Sequence, residues 1–208
     1  MRTSLVSRCL LAGTVLLLPL AASGESNFQT GTSALTATAH VDFQITIPKF
    51  LFLRVGSGTG SASGGYATLA TIDEVTFAPT AAQVGTGVLA GTGGDLTGGV
   101  ETAVVVANNG NVTLSSTTTG ALADGAGDTI SFTKITTTAS HNTTATTLAP
   151  PALADGATTT TTLTAAGKVV QQDAKWAYTY SNNTAPPAGT YGGVNVNAGR
   201  VTYTASVP

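Results

Sequence analysis

The sequence predicts an all-β protein, an antiparallel β-sandwich of the immunoglobulin-like (Ig-like) type. Three observations predict it: segments of alternating apolar and polar residues, turns rich in Gly, Pro and Asn between them, and 40 threonines. Threonine is β-branched and fits the pleated surface of a strand. No segment shows the three-to-four-residue apolar spacing of an amphipathic helix. Short strands with this punctuation are typical of two packed antiparallel sheets.

Residues 1–24 read as a secretory signal peptide. Arg2 and Arg8 supply its positive start, residues 10–20 form a short apolar run, and residues 22–24 are a small-residue cleavage site. The protein is therefore expected to be secreted, either to the periplasm, to the cell surface or to the extracellular space.

The remaining chain is predicted to consist of a polar N-terminal arm, residues 25–33, and a single β-sandwich domain, residues 34–208. Cys9 is the only cysteine and lies in the signal, so the exported protein would contain no disulfide. Six basic and ten acidic residues would remain, which leaves no basic stripe for nucleic acid. No later apolar run approaches the roughly 20 residues of a membrane span.

The strongest strand signal covers residues 35–47, where apolar and polar residues alternate until Pro48. One face of this strand is expected to be buried and the other solvated. Its polar face carries only His40 and Asp42 as titratable groups, and it follows a polar arm. Because charge usually protects sheet edges, this strand is the best candidate for exchange between subunits.

Further strands are expected from the apolar content and turn signals along the rest of the chain. A turn at Asn108–Asn111 predicts a hairpin between two of them. The predicted segments are Phe50–Val55, Thr68–Phe77, Val100–Ala107, Val112–Thr118, Asp128–Thr137, an edge strand through Leu163, Val169–Ser181 and Tyr191–Val207.

Seven side chains on the apolar phase of these strands are expected in the core. They are Val41, Phe43, Ile45, Trp176, Tyr178, Val201 and Tyr203.

Few residues suggest chemistry. His40 and His141 have no companions at metal-ligand spacing and are expected on the surface. Asp124 and Asp128 flank a Gly-Ala-Gly loop and would suit Ca²⁺, although a plain Asp/Gly turn explains the same residues. No cofactor is predicted.

Trp176, Tyr178 and Tyr180 share one face of a strand. An aromatic row can stack on sugar rings, which gives a possible glycan-binding face. The opposite face of the same strand is small and polar, so the aromatic face is also the natural one to bury.

Two segments of the chain carry a family resemblance. Ala37-Thr38-Ala39 leads into the alternating strand that stops at Pro48, and residues 187–191 lead into a Val/Thr/Tyr-rich run. Both are similar to the ends of secreted bacterial surface-fibre subunits, the fimbrial pilins and spore-coat-U-like proteins. The resemblance implies an Ig-like sandwich that assembles by lending a strand to a neighbouring subunit.

The sequence as a whole predicts an exported structural or adhesive protein of the surface or matrix, without catalytic activity. Self-association into surface fibres is the expected partnership. The alternative is a carbohydrate-binding module that uses the aromatic strand face, with a glycan as the partner.

The signal pattern predicts cleavage near Gly24. Intact-mass measurement of the exported protein should therefore give a mass below the 20.5 kDa of the full chain, and no reactive thiol. An exported protein that still contained residues 10–20 would contradict the assignment.

Overall fold

The computed structural model describes residues 24–58 and 65–208. The chain divides into two compact units, Met1–Ile47 and Pro48–Pro208. Apart from Gly24, the predicted signal peptide lies outside the described residues. Within those residues, no helix is long and apolar enough to cross a membrane.

In its described residues, the second unit contains twelve strands and one 3-10 turn, at Phe132–Lys134. The strands are β1 (Leu51–Val55), β2 (Val75–Thr76), β3 (Gly87–Ala90), β4 (Thr92–Gly93), β5 (Val100–Ala107), β6 (Val112–Thr117), β7 (Leu122–Ala123), β8 (Thr129–Ile130), β9 (Ile135–Ser140), β10 (Thr158–Leu163), β11 (Val170–Asn182) and β12 (Thr202–Ser206).

Two antiparallel sheets form the body of this unit. The larger sheet has the order β1-β5-β11-β3, and β9 pairs with the opposite edge of β11. The smaller sheet has the order β10-β6-β12, which makes β10 the edge strand predicted through Leu163. Two short ladders, β2-β4 and β7-β8, lie outside both sheets. The predicted all-β class with antiparallel sheets is confirmed.

The core lies between the two sheets and contains alternate residues of β5, β6 and β11. Trp176 of β11 is 0% exposed, and its ring centroid lies 5.3 Å from that of Tyr203 in β12. The Tyr178 and Tyr203 hydroxyls lie 3.1 Å apart. Contacts between aromatic side chains therefore join the larger sheet to the smaller one.

Strand β5 is buried on both faces. Val104 and Val106, on the face away from the main core, are covered by Phe50 and Phe52. The ring of Tyr66 packs against both phenylalanines, at centroid distances of 5.3 and 5.2 Å. This explains why β5 reads as a continuous apolar run and not as an alternating strand.

Asp173 of β11 is a fully buried carboxylate that anchors a Thr-rich loop. Its oxygens accept hydrogen bonds from the backbone N–H groups and hydroxyls of Thr143 and Thr144, and from the amide of Asn142. Burial alone would raise the pKa of Asp173, but these donors outweigh burial and hold the pKa well below its ordinary value of 3.8.

The predicted hairpin at Asn108–Asn111 is wrong. β5 and β6 belong to different sheets, so the turn carries the chain across the core. The side-chain amide of Asn108 in this turn clamps the segment before β1. Its NH2 group donates to the Pro48 carbonyl at 2.8 Å, and its oxygen accepts from the Phe50 N–H at 2.9 Å. A turn signal marks a reversal, but it does not determine whether the flanking strands pair with each other.

Three predicted strands are shorter than expected. Only Val75–Thr76 of Thr68–Phe77 joins a ladder, and Asp128–Thr137 is interrupted by the 3-10 turn that Ser131 caps. Of Tyr191–Val207, only β12 is a strand. Asn195, Asn197 and Ala198 there adopt left-handed backbone conformations, which a strand does not allow.

Substitution Asp173→Asn should destabilise the fold by roughly 2–3 kcal/mol at pH 7, because an amide cannot accept all the hydrogen bonds that this buried carboxylate accepts. Urea unfolding measures the change, and Asp42→Asn, at an exposed position, is the control. The folded pKa is depressed, so the contribution of Asp173 is present above pH 3.8 and is lost as the pH falls below it. Equal stability of wild type and Asp173→Asn at pH 7 would contradict this role.

Candidate functional site

The segment with the strongest strand signal is not a strand within its own chain. Residues 35–47 form no ladder in the described part of the protein. Val41, Phe43 and Ile45 are 76, 89 and 86% exposed, so their predicted burial in the core is wrong. The alternating pattern correctly marks a segment suited to a sheet, but pattern alone does not identify the strand that it pairs with. The core predictions for Trp176 and Tyr178 are confirmed, whereas Val201 and Tyr203 are partly buried.

The polar arm is linked to this segment by one ion pair. Glu25 Oε2 lies 2.7 Å from Nδ1 of His40 and accepts the His40 backbone N–H at 3.0 Å. Both side chains are exposed, so the pair adds little stability. His141 is exposed as well, and both histidines are on the surface, as predicted.

The second unit has an open sheet edge at β1. One edge of this strand pairs with β5, and the other borders a cavity of about 330 Å³. β1 and Gly56–Ser57 line one side of this cavity, and residues 67–69 and 71 line the other. Arg54 lies in its wall, where Nε and Nη2 are buried without a hydrogen-bond partner and the guanidinium stacks on Phe52, 5.9 Å from the ring centroid. We name this feature the β1 groove.

Three carboxylates meet at one end of the larger sheet. Asp73, Asp95 and Glu101 each place an oxygen within 4.8 Å of the others. Gly56 approaches them with a φ of +76°, and a Cβ there would lie 2.5 Å from Asp73 Oδ2 and 2.7 Å from Glu101 Oε2. Only glycine allows this close approach of the backbone.

Protein donors already satisfy much of this cluster. Asp95 accepts the backbone N–H and hydroxyl of Thr102, and Asp73 accepts the N–H and hydroxyl of Ser57. Burial raises the pKa of Glu101 to about 7, and the nearby charges of Asp73 and Asp95 add to this, against the hydrogen bond from the Asp95 N–H. The arrangement can hold a proton near neutral pH, and its oxygen ligands are of the type that hard cations prefer.

Sequence reasoning missed this cluster. Asp95 lies in a Gly-rich stretch, and neither Asp73 nor Glu101 stands in a recognisable motif. The three residues are separated along the chain, and the pairing of β1 with β5 brings Gly56 beside Thr102, next to Glu101. The spacing of Asp73, Asp95 and Glu101 along the sequence does not indicate that their carboxylates lie close together.

The predicted Ca²⁺ loop is closed by its own backbone. Asp124 Oδ1 accepts the N–H groups of Ala126, Gly127 and Asp128, at 2.8 to 3.0 Å. These hydrogen bonds, led by that from Ala126, lower the pKa of Asp124. Among the described residues, no third carboxylate or histidine joins Asp124 and Asp128 in a metal-binding group. The geometry is that of an Asp/Gly turn.

The aromatic row lies in the core. Trp176, Tyr178 and Tyr180 are at most 9% exposed, and Trp176 Nε1 donates to the Leu148 carbonyl at 2.8 Å. Their faces are therefore closed to a sugar ring in this structure. This agrees with the expectation that the aromatic face of the strand is the one to bury.

Comparison with protein families, with curated proteins and with solved structures found no match to this chain. The interpretation of these sites therefore rests on their chemistry.

The raised pKa of Glu101 predicts a pH-dependent stability. Protonated Glu101 is favoured in the fold, so its contribution is complete below the ordinary pKa of 4.5 and is lost as the pH rises through about 7. Glu101→Gln keeps the shape without the charge and should raise the stability at pH 8 by about 2–3 kcal/mol, with little effect at pH 4.5. Thermal unfolding at both pH values measures the change. A lower stability of Glu101→Gln at pH 8 would show that the charged form is needed.

Proposed function

We propose that the protein is an exported, non-catalytic structural subunit whose copies join through the segment of residues 35–47. In this arrangement the segment of one copy adds as a strand to an open sheet edge of the next. The observation that carries the proposal is the exposed alternating segment, because a full apolar face in water is a binding surface without its partner.

The donor segment has the composition that strand addition needs. Main-chain hydrogen bonds supply affinity, and alternate apolar side chains supply register and specificity. Val41, Phe43 and Ile45 lie on the apolar phase and are all exposed. The polar phase contains only His40 and Asp42 as titratable groups, so little charge opposes pairing.

The β1 groove is the favoured acceptor. Among the described residues, β1 (Leu51–Val55) pairs only with β5, which leaves the backbone donors and acceptors of its other edge for an added strand, beside a cavity of about 330 Å³. The facing residues 67–71 lie outside every ladder. An added strand would therefore gain backbone hydrogen bonds from β1 and side-chain contacts in the groove.

Exchange between copies is favoured over self-pairing at this edge. Only Pro48 and Lys49 separate residue 47 from Phe50, and Asn108 holds both the Pro48 carbonyl and the Phe50 N–H. A hairpin onto the edge of β1 would require a reversal within these residues, which the clamp and the fixed φ of Pro48 oppose.

A structural function also agrees with the chemistry of the chain. Acid–base catalysis needs an acid or base held within reach of the proton that it transfers, and nucleophilic catalysis needs an activated nucleophile beside a base. The described residues offer two exposed histidines and a carboxylate cluster already bonded to protein donors. The predicted signal peptide and the resemblance to fimbrial and spore-coat-U-like subunits support the proposal of such a function at the surface or in a matrix.

Phe43→Asp and Ile45→Asp should each abolish self-association, because a charge on the apolar phase cannot be buried in the acceptor. Size-exclusion chromatography with light scattering should show oligomers of wild type and monomers of both variants. Gln44→Asp and Thr46→Asp, on the polar phase, are the matched controls and should still assemble. The stability of the isolated monomer should not change, since Phe43 is 89% exposed there.

A peptide of residues 34–47 should compete with wild-type assembly, and a scrambled peptide should not. Wild type that remains monomeric up to roughly millimolar concentration would exclude strand exchange. If the polar-phase and the apolar-phase variants reduce assembly equally, the segment acts through its charge and not by adding as a strand.

A further inference from the structure

The outer face of the smaller sheet carries hydroxyls at every outward position of its three strands. The burial of β10, β6 and β12 alternates, and the residues on the outward phase of each strand are all Thr or Ser. The strand register aligns them in three rows. The rows are Thr158–Thr117–Thr202, Thr160–Ser115–Thr204 and Thr162–Thr113–Ser206. We name this surface the hydroxyl face.

Strand geometry spaces these hydroxyls about 4.8 Å apart across the sheet and about 6.8 Å apart along it. Three of them are engaged locally: Thr117 Oγ1 lies 2.8 Å from Thr158 Oγ1, and the Ser115 hydroxyl donates to the Thr204 carbonyl. The face carries no charge, and each hydroxyl can both donate and accept. Such a surface suits a ligand rich in hydroxyl groups.

The hydroxyl face ends in a cavity of about 290 Å³ that contains a cation. Thr117, Thr119 and Thr202 line it on the sheet side, and residues 195–200 line it on the loop side. This cavity, the Arg200 pocket, is near the lower limit of the size of small-molecule sites. Its lining is mixed: Val196, Ala198 and Gly199 contribute apolar surface, and the three threonines, two asparagines and Arg200 contribute polar groups.

The loop that forms the pocket has an unusual backbone. Asn195, Asn197 and Ala198 have φ angles of 57, 50 and 58°, a region that non-glycine residues seldom adopt. A Cβ on Gly199 would overlap the backbone of Gly193, so the loop closes tightly on itself. Two hydrogen bonds attach it to Ala123, from Ala123 N–H to the Asn197 carbonyl and from Gly192 N–H to the Ala123 carbonyl, each at 2.9 Å. Strain of this kind is often found where a fold holds a ligand clamp.

Arg200 is half-buried and forms no ion pair among the described residues. No Asp or Glu is among the described residues that line the pocket. An arginine that lines a pocket together with threonines and asparagines is suited to a carboxylate, which a guanidinium binds through two parallel hydrogen bonds.

From this arrangement we infer that the Arg200 pocket and the adjoining hydroxyl face bind an acidic saccharide, with a uronic acid carboxylate on Arg200. The sugar hydroxyls then lie on the threonines, and the pocket accepts one terminal or flexed sugar unit. This binding function is independent of the proposed strand exchange, since it uses a different sheet and none of residues 35–47.

The test uses full-length protein and three probes: trigalacturonate, its neutral counterpart galactotriose, and acetate. Ligand-observed saturation-transfer NMR and titration calorimetry work whether or not the protein assembles. Trigalacturonate should bind in the millimolar range or tighter. Galactotriose and acetate should each bind at least about tenfold more weakly, because galactotriose lacks the carboxylate for Arg200 and acetate lacks the sugar hydroxyls.

Arg200→Gln should weaken trigalacturonate binding about tenfold or more, and Arg200→Lys should weaken it less, since it keeps the charge without the planar fork. Thr202→Val removes one hydroxyl from the pocket in a side chain of the same shape and should also weaken binding. Lys134→Gln and Thr136→Val, an exposed cation and an exposed strand threonine outside the pocket, are the matched controls and should bind as wild type does. Circular dichroism checks that each variant is folded.

Three results would overturn the inference. They are no binding of trigalacturonate at roughly 10 mM, equal affinity for trigalacturonate and galactotriose, or acetate binding as strong as that of trigalacturonate. If wild type and Arg200→Lys bind trigalacturonate equally and Lys134→Gln loses binding, the site lies outside the Arg200 pocket. Should Arg200→Gln fail to fold, Thr202→Val and Arg200→Lys decide the matter through the same titration.

Discussion

The structure depends on the central position of β11. This strand pairs with β5 and β3 along one edge and with β9 along the other, so it holds the larger sheet together. Its inner face contributes Trp176, which packs on Tyr203 of the smaller sheet, and its outer face contributes Asp173, which fixes a covering loop. Sheet pairing, inter-sheet packing and loop anchoring therefore all depend on a single strand of thirteen residues.

In this protein, hydroxyls and backbone N–H groups satisfy the buried carboxylates, a role that charged side chains have in many other proteins. The contact between His40 Nδ1 and Glu25 Oε2, at 2.7 Å, lies on the surface and not in the core. The buried carboxylates are instead neutralised or satisfied locally. Asp173 is surrounded by N–H and O–H donors, which favour its charged form and lower its pKa. Burial beside two other carboxylates favours the neutral form of Glu101 and raises its pKa. Two buried carboxyl groups thus differ in protonation behaviour, because the donors and charges around them differ.

The two proposed surfaces occupy different parts of the chain and follow from the same composition. A low charge density leaves the exposed segment of residues 35–47 free to pair, and it leaves the outer face of the smaller sheet as an array of hydroxyls. Assembly through the first would display many copies of the second. A repeated weak site gains strength in such an array, because linked sites raise the effective concentration of the ligand.

The sequence by itself determined the all-β class, the strands β5, β6 and β11 to within a residue or two, and the burial of Trp176. Each of these follows from local periodicity and side-chain shape. Tertiary structure alone decided that β5 and β6 lie in different sheets, that Asp73, Asp95 and Glu101 meet, and that Arg200 joins Thr117 and Thr202 in one pocket. It also left Phe43 exposed, although the pattern around it is that of a buried strand. Periodicity reports which side of a strand is apolar, whereas the partner that covers that side is set by contacts between residues far apart in the chain or in another molecule.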